Sequence, residues 1–146
     1  MKTDRIDAYK AAPEAMKAMM GVEEYIQNCS LDGGLIELVR MRASQINGCA
    51  FCLDLHSKDA RKAGETEQRL YLLDAWYESH LYSEREKAAL AWTDALTKIS
   101  ENHAPDELFV DVREHFSDRE MADLTTLIAL INAWNRLAIS LRYQHG

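Results

Sequence analysis

The sequence predicts an all-α fold, a single-domain bundle of about six to seven helices. Three observations predict it. Apolar residues recur at helical spacing along nearly the whole chain. No stretch alternates apolar and polar residues with the β-branched enrichment of a half-buried strand. Gly, Pro and paired capping residues cut the chain into helix-sized pieces, at about 13–28, 33–47, 49–63, 66–78, 84–99, 105–115 and 118–143. With 146 residues, 47% of them hydrophobic and 28% charged, one such bundle can close around its own core without a second domain.

Each element has a local reason. Pro13 suits the first turn of the first helix, where a missing N–H costs nothing. Between Gly33 and Gly48 the second helix carries Leu35, Val39 and Ile46 on one side and Leu38 and Met41 on another, so it is expected to be covered on several faces. Glu37 falls on the side that leads through Met41 and Ser44 into the turn before Cys49. Burial there is expected to raise its pKa toward the range useful for proton transfer. The third helix starts at Cys49. In the fourth, Tyr71, Trp76 and Tyr77, with Tyr82 just beyond, are expected to pack in the core. The fifth and last helices open on Ser83 with Glu86 and Ser117 with Glu120, the reciprocal pattern of a capping box. Pro105 suits the first turn of the sixth. The last helix presents Leu124, Leu127, Ile128, Ile131, Trp134, Ala138 and Leu141 over a wide arc, which predicts a central position or a subunit interface, and hence a homo-oligomer.

Composition excludes several partners. A net charge of -7 with scattered Lys and Arg lacks the basic patch that nucleic-acid binding requires. The run from Leu124 to Asn135 falls well short of the ~20 apolar residues of a membrane span, so no membrane partner is expected. The opening Met1-Lys2-Thr3-Asp4-Arg5-Ile6-Asp7 has no apolar run of the secretory type, which leads us to expect a cytoplasmic protein. Three cysteines in a reducing compartment read as reactive or bystander thiols, Cys29 being the bystander.

Cys49-Ala50-Phe51-Cys52-Leu53-Asp54-Leu55-His56 carries the chemistry. Residues four apart share a helix face, so His56 can meet Cys52, while Cys49 reaches Cys52 from the first turn. A free thiol is only ~3% ionised at pH 7. Helix N-terminal amides and a neighbouring imidazole both favour the thiolate, and a pKa lowered by about two units would leave roughly three quarters of it ionised. This points to a compact thiol redox site. A zinc site is the rival reading: Cys49, Cys52 and His56 would be three ligands, with Cys29 or His80 as a fourth. Leu53 stands where covalent haem attachment needs His, and no βαβ unit surrounds the pair as in a thioredoxin.

Glu37, eleven intervening residues, then Cys49-x-x-Cys52-x-x-x-His56 resembles the core motif of the alkylhydroperoxidase D group of the carboxymuconolactone decarboxylase superfamily. The flanking Arg42-Ala43-Ser44-Gln45-Ile46-Asn47-Gly48 and the later Glu86-Lys87-Ala88-Ala89-Leu90-Ala91-Trp92 extend the likeness, which covers most of the chain after about Leu31. Some peroxidase members carry a histidine between the cysteines, where this chain has Phe51, a departure that leaves a general disulfide oxidoreductase as the alternative to a peroxidase. The resemblance implies a helical protomer assembling as a trimer or hexamer, and a peroxidase of organic hydroperoxides or hydrogen peroxide that uses no cofactor and no metal. It further implies Cys52 as the attacking thiol, Cys49 as the resolving thiol, Glu37 and His56 as a proton relay, and a dithiol or lipoyl-type reductant. The decarboxylase branch lacks the thiol pair.

Overall fold

The computed structural model describes residues 2–146, and Met1 of the N-terminal stretch lies outside them. Its helices are α1 (Ala8–Ala11), α2 (Pro13–Gln27), α3 (Gly33–Asn47), α4 (Ala50–Lys62), α5 (Glu67–Leu72), α6 (Glu84–Thr97), α7 (Ile99–Asn102), α8 (Asp106–Arg113) and α9 (Asp118–Ser140). The fold is all-α, as the periodicity predicts. Among the described residues the only β-type pairing is an isolated bridge between Thr3 and Tyr143, and no helix is long and apolar enough to cross a membrane.

α3 is the central strut. Nine of its residues, from Leu35 to Ser44, are buried, because α4, α6 and α9 pack on different sides of it. α9 lies against α2, α3, α4 and α6 and buries Leu124, Leu127, Ile128, Ile131 and Ala138 of the predicted arc, while Trp134 and Leu141 are only partly buried. Both capping boxes form: the Ser83 hydroxyl accepts from the Glu86 N–H and the Glu86 carboxylate accepts from the Ser83 N–H, with the same exchange between Ser117 and Glu120.

Three departures from the periodicity have tertiary causes. The helix expected over 66–78 stops at Leu72 and tightens into a 3₁₀ turn, Leu73–Ala75. That turn aims Leu73 and Trp76 inward, and the Trp76 indole donates to Asp94 Oδ2 at 3.1 Å. Tyr82 is also buried, but Tyr71 and Tyr77 are 74% and 83% exposed, so only half of the expected aromatic cluster packs. Secondly, α1 and α7 are single turns, too short to leave a periodic signal. Thirdly, α9 ends at Ser140, although apolar spacing continues to Tyr143. Arg142 takes a left-handed backbone (φ 57°), and the chain turns back so that the Gln144 N–H donates to the Lys2 carbonyl at 3.0 Å. This return folds Tyr143 toward the start of α4.

Arg69 links α5 to α6, with Nε 2.7 Å from Glu65 and Nη2 2.5 Å from Glu86. Burial is the largest influence on Glu86 and pushes its carboxyl upward, but Arg69 and the Ser83 N–H outweigh it and hold the pKa below the ordinary value. A depressed folded-state pKa stabilises the fold above the unfolded value, about 4.3 for Glu, and that contribution is lost as pH falls through the folded value. Below about pH 4.5 the melting temperature of the parent is therefore expected to fall more steeply than that of Glu86→Gln, which keeps the capping reach without the charge; parallel curves in a thermal melt series would contradict this.

Candidate functional site

The site is built on the turn between α3 and α4. Gly48 closes α3 in the left-handed region (φ 70°), and the Gly48 and Cys49 N–H groups donate to the carbonyls of Gln45 and Ser44. Glycine adopts this backbone without the steric penalty of about 1–2 kcal/mol that other residues meet. The reversal makes Cys49 the N-cap of α4, its Sγ accepting the Cys52 N–H at 3.3 Å. Cys49 and Cys52 are joined as a disulfide, their Cα atoms 5.3 Å apart. Both are buried, packed with Ala138 and Tyr143, and Phe51 meets the Tyr143 ring edge-on at 5.7 Å.

A polar network behind this turn left no pattern in the sequence. The Asn47 amide donates to Asn132 Oδ1 and Asn135 Oδ1, both at 2.9 Å, and the Asn135 amide donates to the Ser44 hydroxyl at 3.0 Å. Asn135 and Ser44 are fully buried, so this network ties the last turn of α3 to α9 away from water. Asn135→Ala leaves the Ser44 and Asn47 groups short of a partner and opens a cavity, and is expected to destabilise the fold by about 2–4 kcal/mol in chemical denaturation. A change below about 0.5 kcal/mol would mean that the network does not brace the turn.

Of the two cysteines, Cys52 lines a cavity of about 300 Å³, together with Phe51, Leu55, His56, Asp59, Trp134 and Tyr143. Cys49 is not among the lining residues. One turn after Cys52 on α4, His56 is buried, with Nδ1 3.4 Å from Glu37 Oε2 and 3.9 Å from Asp59 Oδ2. These are ion-pair distances without hydrogen-bond alignment, since both Glu37 Oε2 and His56 Nδ1 lack a hydrogen-bond partner. The other oxygen of Glu37 accepts from Arg40 Nη1 at 2.8 Å. Arg40 is itself buried and also pairs with Glu23, whose second oxygen accepts the Trp134 indole N–H at 3.0 Å. α2, α3, α4 and α9 thus each contribute to one chain, Trp134–Glu23–Arg40–Glu37–His56.

The network corrects the expectation for Glu37. Burial is the largest single influence and pushes its carboxyl upward, as the sequence suggests, but His56 and Arg40 together override it and leave the pKa below the ordinary carboxylate value. Glu37 is therefore ionised at neutral pH. Its partners are His56 and Arg40.

Glu37, Cys49, Cys52 and His56 are accordingly gathered in one region of the fold, whereas Cys29 is a free, partly buried cysteine after α2 and His80 lies exposed before α6. Arg40, Glu23, Trp134 and Tyr143 are additions from the structure. Only Arg40 carried a local signal, at three residues from Glu37 on one helix face.

Comparison with known proteins places the geometry in a lineage. Residues 13–95, which include Glu37, Cys49, Cys52 and His56, match the model of the carboxymuconolactone decarboxylase family. The chain belongs to that family. Within it the fold is alkylhydroperoxidase D-like: a crystal structure of a protein of unknown function from Agrobacterium tumefaciens, suggested to be the antioxidant defence protein AhpD, superposes with a TM-score of 0.95 at 50% identity over 99% of both chains. The uncharacterized protein YdfG of Bacillus subtilis is 48% identical over 139 residues, 95% of each chain. A peroxidase-related protein of Ralstonia eutropha with an alkylhydroperoxidase AhpD core shares the fold, with a TM-score of 0.83 at 20% identity over 95% of this chain and 74% of the other.

Proposed function

We propose that this family member is a dithiol peroxidase that reduces organic hydroperoxides or hydrogen peroxide. The observation that carries the reading is the asymmetry of the pair: Cys52 opens on the cavity beside His56, while Cys49 lies behind it within bonding reach. The Cys52 thiolate attacks the distal peroxide oxygen; the O–O bond breaks, the sulfur becomes a sulfenic acid, and the alkoxide leaves to take up a proton as the alcohol. Cys49 then attacks the Cys52 sulfur, releasing water and forming the disulfide. A dithiol or lipoyl-type reductant returns the pair to two thiols by exchange, itself becoming a disulfide.

His56 accepts the Cys52 proton and supplies it to the leaving oxygen. Ionised Glu37, 3.4 Å from Nδ1, orients the ring and stabilises the imidazolium, and Arg40 with Glu23 fixes Glu37 in place. Apolar lining from Phe51, Leu55 and Trp134 suits the alkyl part of an organic hydroperoxide. Exposed Tyr71, Leu72 and Tyr77 support assembly as a homo-oligomer, which sedimentation finding only a 16.7 kDa species would reject.

The reading is tested by giving reduced protein an organic hydroperoxide and a lipoyl-type dithiol. One alcohol is expected per peroxide consumed and per dithiol oxidised. Consumption no faster than that of a variant lacking both Cys49 and Cys52 would end it.

A further inference from the structure

Three ligand-bearing atoms converge beside the cavity in a way the relay alone does not use. Glu37 Oε2, His56 Nδ1 and Asp59 Oδ2 all lie within 4.8 Å of one another. His56 is 8% exposed, and its Nδ1 and Glu37 Oε2 are both buried and face each other at 3.4 Å without an aligned hydrogen bond. Arg40 engages only the other oxygen of Glu37 and is itself matched by Glu23. Glu37 Oε2 and Asp59 Oδ2 thus bring two carboxylates to one imidazole nitrogen, which offers a lone pair when the ring is neutral and Nδ1 carries no proton.

We propose that Glu37, His56 and Asp59 form a zinc-binding site, and that zinc bound there inhibits the thiol chemistry. The spacing is compatible with zinc: a tetrahedral ion with ligands at about 2.0–2.1 Å holds them about 3.3–3.4 Å apart. Nδ1 and Oε2 stand at 3.4 Å. Asp59 Oδ2 stands 3.9 Å from Nδ1 and within 4.8 Å of Glu37 Oε2 on a half-exposed side chain, and closing the third corner requires that carboxylate to move inward. An octahedral ion with ligands at about 2.1 Å would need adjacent ligands near 3.0 Å, and magnesium and calcium prefer all-oxygen sites. Imidazole nitrogen and carboxylate oxygen are both zinc donors, and three of them leave a fourth position for water. This is a different site from one built on the cysteines.

Occupancy by zinc takes both relay atoms at once: Nδ1 is engaged by metal and Oε2 no longer faces an imidazolium. The inhibition, though not the binding, rests on the peroxidase reading.

The binding test uses the full chain as Cys49→Ser/Cys52→Ser, so that no site-forming thiol competes, with zinc titrated against a chromophoric chelator. One zinc per chain is expected, weakened at least about tenfold by adding Asp59→Asn. No binding by the double variant, or binding unchanged by Asp59→Asn, overturns the site. Asp59 is half-exposed, so Asp59→Asn on the parent background should fold, checked by its melting curve, and the effect of zinc on each protein is read against its own zinc-free rate. Zinc should slow the parent, a chelator should restore it, and Asp59→Asn should resist; equal inhibition of both overturns the inhibitory role. If peroxide turnover fails altogether, the chelator titration still decides the site; if turnover proceeds and zinc does not bind, the site falls and the peroxidase reading stands.

Discussion

Cys52→Ser is expected to reduce peroxide turnover by at least ~10³-fold, whereas Cys49→Ser should keep the first chemical step and lose only the cycle. Serine in the same place presents a hydroxyl that does not ionise near neutral pH and is a far weaker nucleophile, so neither His56 nor the helix amides can rescue it. Removing Cys49 leaves the cavity-facing sulfur intact. That variant should consume one equivalent of hydroperoxide and stall as a sulfenic acid, one oxygen heavier by mass, because no second thiol is within reach to condense with it. The reverse pattern, with Cys49→Ser dead in the first turnover and Cys52→Ser active, would assign the roles the other way and detach the chemistry from the cavity.

Glu37→Gln should lower kcat/KM by about 10²-fold, within the usual contribution of one positioned proton-transfer group. The amide keeps an oxygen for Arg40, and Arg40 keeps its pairing with Glu23, so the substitution removes the charge facing His56 without leaving a buried cation unpaired. The loss should therefore appear at unchanged or slightly changed melting temperature. It should also shift the acidic limb of the pH–rate profile to lower pH, because the imidazolium loses the negative charge that favours it, a signature that simple loosening of the helix would not give. An activity within twofold of the parent would remove Glu37 from the relay. By contrast, Arg40→Ala should cost about 3–5 kcal/mol of stability, since it strands Glu23 and Glu37 together in the interior.

Much of the frame is legible in residues whose effects are local. Gly48, the two capping boxes, Pro13 and the multi-sided apolar pattern of α3 each predict the structure they make, because turn geometry, caps and helix faces depend on neighbours within one or two turns. The motif around Cys49, Cys52 and His56 is legible for the same reason. Glu37 was found as a member of the site but with the wrong electrostatics, since the sign of its shift depends on Arg40 and on an imidazole nineteen residues away. Trp134 and Glu23 join the site from opposite ends of the chain, and Tyr143 arrives only because α9 unwinds at Ser140 to meet the N-terminal strand-like segment. The 3₁₀ turn at Leu73–Ala75 likewise answers to Asp94, a partner on another helix. Such long-range pairings carry no periodicity.

The central claim is that reduced Cys52 is an anion in neutral solution, held so by the start of α4 and by His56. Titrating the thiolate by its ultraviolet absorbance in reduced Cys49→Ser, where Cys52 is the only sulfur left in the motif, tests this directly, with Cys29 alone in Cys49→Ser/Cys52→Ser as the blank. The account predicts a midpoint below about pH 7, at least a unit and a half under an ordinary thiol near 8.5. A Cys52 that ionises only at about pH 8.5 or above would contradict it.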